Sequence, residues 1–365
     1  MSRRRLRDLG IAIGRLEPGP WNTITDVPGV QVGHFTLIED EPRTVRSGVT
    51  AILPRAGGDV FASNLFAAIH SFNGYGEMTG IPWIEESGIL DSPILITNTC
   101  SVGVCRDAIV EYAVAKGAPQ RFHLPVVAET WDGWLSDIHS FSITKEHAWA
   151  AMDAARAGPV PEGNVGGGTG MIAHEFKGGI GTASRRLKLE DATYTVGALV
   201  QANYGSRRML RCGGIPVGEW IGPEVVPVPW PEPRDQGSII VVLATDAPLI
   251  PAQCKRLARR ATTGLAWVGG YGSNSSGDIF IAFSTGNVVP PSQPNGSPAP
   301  VAVRMMPSEA MTPLFLAAAE ATEEAILNAI CMAETMTGWQ GRTVYALPLE
   351  PLKEIVARGR AALAG

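Results

Sequence analysis

Short apolar runs broken by glycine and proline, with few long helical stripes, set the pattern of this chain. Residues 20–60 alternate apolar stretches with turn residues, which predicts hairpins. Pro93-Ile94-Leu95-Ile96-Thr97-Asn98 is short and nearly uninterrupted, as a buried strand would be, and further strands are predicted at 125–128, 194–202, 238–244 and 278–284. Val104, Ile109, Val110 and Tyr112 mark a helix over 102–116, with Ser101 as N-cap and Gly117 as stop. Residues 251–263 predict one basic amphipathic helix carrying Lys255, Arg256, Arg259 and Arg260; its charges are expected to form a solvated face. Thr312-Pro313 predicts the cap and first turn of an Ala-rich helix running to about 336, with Gly338 beyond it. Residues 269–277 are Gly- and Ser-rich, and 222–236 hold five prolines, an extended connection. No repeat of 20–50 residues appears, and the elements interleave without a regular βαβ count, so the pattern alone gives a mixed α and β chain.

Composition narrows the function classes. With 365 residues there is ample chain to bury a core, and 45% apolar against 18% charged residues marks a globular protein. A net charge of −5 offers no basic surplus for phosphates, so no nucleic-acid partner is expected. Arg3, Arg4 and Arg5 are followed by Gly10, Gly14, Arg15 and Pro18 in place of an apolar signal core, and no stretch reaches 18 uncharged apolar residues. The expectation is a cytoplasmic protein with no membrane partner. Cys100, Cys105, Cys212, Cys254 and Cys331 are odd in number and lack C-x-x-C spacing, so neither a disulfide framework nor a zinc knuckle is predicted.

Two motifs point to chemistry that their context does not support. Gly168-Thr169-Gly170-Met171-Ile172-Ala173 has the form of a dinucleotide fingerprint, yet Gly178, Gly179 and Gly181 interrupt the helix that should follow. The reading is a loop where backbones pass closely. The six histidines, His174 beside Glu175 among them, show no ligand spacing, and neither metal nor organic cofactor is expected.

Gly237-Ser238 is the most informative point. Ser238 follows a glycine and opens the run Ile239-Ile240-Val241-Val242-Leu243. If the chain cuts itself at that bond, Ser238 becomes an N-terminus whose α-amine, with a pKa of roughly 7.7–8, can serve as base for its own hydroxyl. The wider segment 237–249 resembles the junction of the self-processing P1 (S58) aminopeptidases, the family of L-aminopeptidase/D-amidase/D-esterases and β-aminopeptidases. Further blocks match in order: Thr25-Asp26-Val27-Pro28-Gly29-Val30-Gln31-Val32-Gly33-His34, Gly163-Asn164-Val165-Gly166-Gly167-Gly168-Thr169-Gly170-Met171, Val200-Gln201-Ala202-Asn203-Tyr204-Gly205 and Gly341-Arg342-Thr343-Val344-Tyr345-Ala346-Leu347-Pro348. The likeness runs from about residue 8 to about residue 350.

The resemblance implies an α+β fold, an α-β-β-α four-layer sandwich like that of N-terminal-nucleophile hydrolases with a different topology. It implies a single domain, residues 1–365, cut into an α chain of 1–237 and a β chain of 238–365. It also implies that Ser238 attacks an N-terminal residue's amide or ester, that Asn203 supplies the oxyanion donor, and that Ser276 and Asp278 flank the nucleophile. Glu129, in Glu129-Thr130-Trp131-Asp132-Gly133, is implied to bind the substrate's free amine; Trp131 stands where the family has a Tyr. The expected partner is a small peptide or amino-acid amide, and the expected assembly a homo-oligomer, tetramers of cut units being common in that family. An amidase for β- or D-amino-acid amides, an N-acyl transferase of related fold and a non-catalytic scaffold remain as alternative readings.

Overall fold

The computed structural model describes residues 3–55, 60–118, 122–230, 236–290 and 299–364. In chain order the strands are β1 (Gln31–Glu39), β2 (Val45–Leu53), β3 (Asn64–Gly74), β4 (Ile89–Leu90), β5 (Ile94–Asn98), β6 (Val126–Thr130), β7 (Ile172–Ala173), β8 (Phe176–Lys177), β9 (Gly179–Leu189), β10 (Ala192–Asn203), β11 (Gln236–Thr245), β12 (Ser275–Val289), β13 (Met336–Thr337) and β14 (Thr343–Val344). The helices are α1 (Ile81–Ser87), α2 (Val102–Ala115), α3 (Lys145–Asp153), α4 (Pro251–Ala258), α5 (Ala261–Val268), α6 (Met311–Met332) and α7 (Leu349–Ala364). A four-stranded sheet has the order β1-β2-β5-β6, and a six-stranded sheet the order β4-β3-β12-β11-β10-β9.

Side-chain alternation stacks these elements. Ile52, Ile94, Ile96 and Ala128 of the smaller sheet meet Leu199, Ile240, Val242, Ile281 and Phe283 of the larger one, forming the core between the sheets. Opposite-facing residues of the large sheet, Val200, Val241, Leu243 and Phe280, pack under α4, α5 and α6 through Leu257, Leu265, Ile326 and Ile330. Val49, Leu95 and Val127 turn to α2 and α3, against Ile109 and Met152. Helices therefore cover both outer faces of two stacked sheets, the four layers expected.

Tertiary contacts move several boundaries. The single helix expected over 251–263 is two, because α4 lies on β3 while α5 packs against α6. Its basic residues are partly engaged: Lys255 pairs with Glu85, and Arg256 and Arg260 lie over the Phe315 ring. Helix α6 starts at Met311 and ends at Met332 instead of 336. Beyond it Ala333 is extended, and Asn164 bonds both backbone groups of Glu334, drawing the chain away from the helical path. Strand β12 takes in part of the Gly/Ser-rich run, and β11 begins two residues before Ser238. Of the proline-rich connection, residues 231–235 lie outside the described residues.

Candidate active site

Register assembles the site before any side chain is considered. Strand β11 lies between β10, antiparallel to it, and β12, parallel to it. Ser238 stands directly across from Asn203 on one side and beside Gly277 on the other. Alternation gives Ser238 the parity of Ile240 and Val242, so it faces the space between the sheets, as Asn203 does. Gly237 is packed against backbone: a Cβ there would strike the Asn203 carbonyl and the Tyr204 Cα. The glycine before the serine is thus required by close approach.

Asn203 is held from both ends. Its Oδ1 accepts the Ile172 N–H at 2.8 Å, and its Nδ2 donates to the Trp131 carbonyl at 3.0 Å. An amide nitrogen carries two N–H groups, so the second can serve a charge forming near Ser238. The Ser238 hydroxyl oxygen accepts the Gly277 N–H at 3.3 Å.

Glu129 comes from the opposing sheet, near the end of β6. Its Oε1 accepts the Glu77 N–H at 2.9 Å, and its Oε2 accepts the Thr99 hydroxyl. Burial raises its pKa, while these two bonds favour the charged form and the Glu77 carboxylate opposes it. A cavity of about 620 Å³ brings Ser238, Asn203, Glu129 and Trp131 together, with Tyr75, Trp134 and Trp230 on its walls. The Trp131 indole lies over Gly133, where a Cβ would strike the ring.

Ser276 and Asp278 do not line this cavity. Both are buried and share the parity of Phe280, which packs on the helix side. The Ser276 hydroxyl donates to Asp278 Oδ1 at 2.7 Å, and the backbone of Ile239, its partner in the β11–β12 register, also favours the charged carboxylate. Burial outweighs both and pushes Asp278 up to about 6. These two residues therefore flank the strand that carries Ser238, reaching it through its backbone neighbours.

Sequence reasoning missed Thr99, Ile172 and Gln201. Gln201 is fully buried and donates across the sheets to the Thr97 carbonyl at 3.0 Å and the Thr130 hydroxyl at 2.9 Å. A signal existed: Gln201 and Asn203 are polar at alternate positions of an otherwise apolar strand. The glycine-rich stretch has the expected close backbone approaches. Gly166–Gly168 form a 3-10 turn, and a Cβ on Gly167 or Gly168 would meet Ile96, Gln201 or Gly179. No group of three or more His, Cys, Asp or Glu placed to hold a metal occurs among the described residues. Burial, with Asp132 and Glu129 nearby, raises the Cys100 thiol, which argues against a thiolate nucleophile there.

Two stacked sheets under helices, with a serine and an amide donor on adjacent strands facing a buried carboxylate across the cleft, fit a serine amidohydrolase on a fold of the Ntn hydrolase kind. The comparisons with known proteins agree. The model of peptidase family S58 matches residues 22–344, and the chain belongs to that family. It is 46% identical to the beta-peptidyl aminopeptidase BapA of Sphingosinicella microcystinivorans, over 98% of this chain and 92% of the relative. It is 42% identical to the protein of that name from Sphingosinicella xenopeptidilytica, over 96% and 90%. Among solved structures, a Burkholderia sp. beta-aminopeptidase superposes with a TM-score of 0.92 at 50% identity, covering 97% of this chain and 99% of that one. The L-aminopeptidase D-Ala-esterase/amidase of Ochrobactrum anthropi, described as a variant of the Ntn hydrolase fold, superposes with a TM-score of 0.88 at 45% identity, covering 97% and 98%. The protein is a serine aminopeptidase.

Proposed function

We propose that Ser238 is the nucleophile and that the chain activates it by cutting itself at Gly237–Ser238. The observation that carries this reading is the placement of Ser238 opposite Asn203, with Glu129 across the same cavity. In self-scission the Ser238 Oγ adds to the Gly237 carbonyl carbon and the peptide nitrogen leaves as the α-amine. Water then hydrolyses the resulting ester, leaving Gly237 as a carboxylate and Ser238 as a new N-terminus. The α-amine accepts the hydroxyl proton when Ser238 attacks a substrate carbonyl.

The free N–H of Asn203 stabilises the oxyanion, a contribution of about 3–4 kcal/mol in comparable sites. The leaving amine takes up the proton, and water releases the acyl group as a free amino acid. Glu129 binds the substrate ammonium and so restricts the enzyme to unblocked N-termini. Ser276 and Asp278 hold the strand around Ser238, and the carboxylate balances charge on its amine. The relatives named beta-peptidyl aminopeptidase and beta-aminopeptidase favour N-terminal β-amino acids as substrates, and Trp131 is a wall of the acyl pocket.

The whole chain acts as one domain of two polypeptides. Five free cysteines suit a reducing, cytoplasmic compartment, the acidic net charge supports the absence of a nucleic-acid partner, and the family resemblance supports a homo-oligomer. No helix among the described residues is long and apolar enough to cross a membrane.

The test is intact mass and N-terminal sequencing of the folded protein, with turnover of a β-aminoacyl nitroanilide. Two polypeptides, one starting at Ser238, and free amino acid as product are expected for the native chain. The Ser238→Ala variant should stay uncut and inactive. Normal processing of that variant would place the cut elsewhere, and an acylated amine as main product would make the enzyme a transferase.

A further inference from the structure

Strands β7 and β8 form a small hairpin beside the site, with Ile172 paired to Lys177 and Ala173 to Phe176. Its turn is made by His174 and Glu175, with φ of 49° and 61°. Two successive left-handed residues are what the tightest hairpin turns require, and non-glycine residues accept them at a cost. The surroundings impose that conformation. The His174 N–H donates to the Tyr204 carbonyl at 2.7 Å, and Arg207 donates to the Glu175 carbonyl at 2.7 Å. Trp230 donates to the Glu175 carboxylate at 3.2 Å.

Lys177 closes this hairpin from within. Its side chain is wholly buried, and its ammonium donates to the carbonyls of Met171 at 2.8 Å, Gly178 at 2.9 Å and, more weakly, Gly168 at 3.4 Å. No carboxylate is among these partners. Burial without a counter-charge lowers the lysine to about 7, a cost that a surface lysine would avoid. One of its acceptors, Met171, immediately precedes Ile172, whose N–H holds Asn203.

We propose that Lys177 is a positioning residue for acyl transfer: it ties three carbonyls of the 168–178 loop so that the Ile172 N–H fixes the Asn203 amide, with one N–H left for the oxyanion. The proposal rests on the reading of Asn203 as oxyanion donor. Its physical content is that the bond from Nδ2 to the Trp131 carbonyl leaves the amide able to pivot about that contact, and the Ile172 N–H stops the pivot by claiming the oxygen. Ile172 claims it only while the hairpin keeps its place against the end of β10. Lys177 touches neither substrate nor reacting atoms in this scheme.

The test uses the processed enzyme and a β-aminoacyl nitroanilide. Lys177→Met keeps most of the length of the side chain and removes every donor. It should lower kcat by roughly 10- to 100-fold, up to the loss from deleting one oxyanion donor, with KM within about twofold. Asn203→Ala should lose kcat to at least the same degree. In the Asn203→Ala background the lysine change should add almost nothing, because the amide it serves is gone.

Equal further loss in that background, a rise in KM with kcat unchanged, or unchanged kcat in a folded Lys177→Met enzyme would overturn the proposal. If Asn203→Ala alone retains kcat, the oxyanion reading itself fails, whatever Lys177 does. If the methionine variant does not fold, Lys177→Leu, which likewise removes every donor, is judged by the same criteria. Failure of both to fold would make Lys177 part of the scaffold and not a positioning residue.

Discussion

Replacing Glu129 by Gln is the sharpest probe of how the pocket selects its substrates. The carboxylate holds the Glu77 N–H and the Thr99 hydroxyl. A glutamine can keep both contacts: its oxygen takes the Glu77 N–H, and its amide donates to Thr99, whose hydroxyl turns to accept. The change therefore removes a charge with little rearrangement. A hydrogen bond to a charged partner is worth about 1.5–3 kcal/mol, so kcat/KM for a substrate with a free amine should fall about 10- to 150-fold. Self-scission should proceed normally, since the precursor offers no ammonium at the scissile bond.

The assay compares an aminoacyl nitroanilide with its N-acetylated form. Wild type should turn over only the first. The direction of the pH effect follows from burial, which raises the Glu129 pKa. As pH falls, Glu129 takes up a proton before an exposed carboxylate would, the ammonium loses its partner and KM rises. The Gln variant should lack that acid limb. A kcat/KM within twofold of wild type, or equal turnover of the acetylated substrate by wild type, would show that no amine is read at Glu129.

Three further outcomes follow from the same geometry. Trp131→Tyr places a hydroxyl in the pocket and reduces ring size, so kcat on small aminoacyl amides should rise about tenfold, or about 1.4 kcal/mol; a tenfold loss in a folded variant, seen in steady-state rates, would show that the indole has its own role. Gln201→Leu leaves the Thr97 carbonyl and Thr130 hydroxyl without the cross-sheet donor, and should cost about 1–3 kcal/mol of stability in denaturant titration; an unchanged midpoint would contradict the inter-sheet tie. Gly237→Ala puts a Cβ against the Asn203 carbonyl and Tyr204 backbone, and mass spectrometry should find it slowly cut or uncut; a normal rate would mean that the strand end has room to yield.

The strands and the candidate serine were legible because they rest on local information. Apolar runs bounded by turn residues specify strands, and a Gly-Ser step before such a run is visible in the sequence. Block order was enough to name the family and to single out Ser238, Asn203 and Glu129. What needed the fold was everything set by partners distant in sequence. Helix α6 stops early because Asn164 draws the chain away, and the 251–263 helix divides because its halves serve different neighbours. The parity that puts Ser238 and Asn203 in the cleft but Ser276 and Asp278 behind the strand depends on register with β10 and β12. Lys177 carries no sequence mark at all. A lysine after an apolar residue reads as exposed, and only the packing of a hairpin against the end of β10 buries its charge among carbonyls. Periodicity reports which face of an element is apolar, whereas long-range packing decides which polar atoms are taken out of water and what they must then bond.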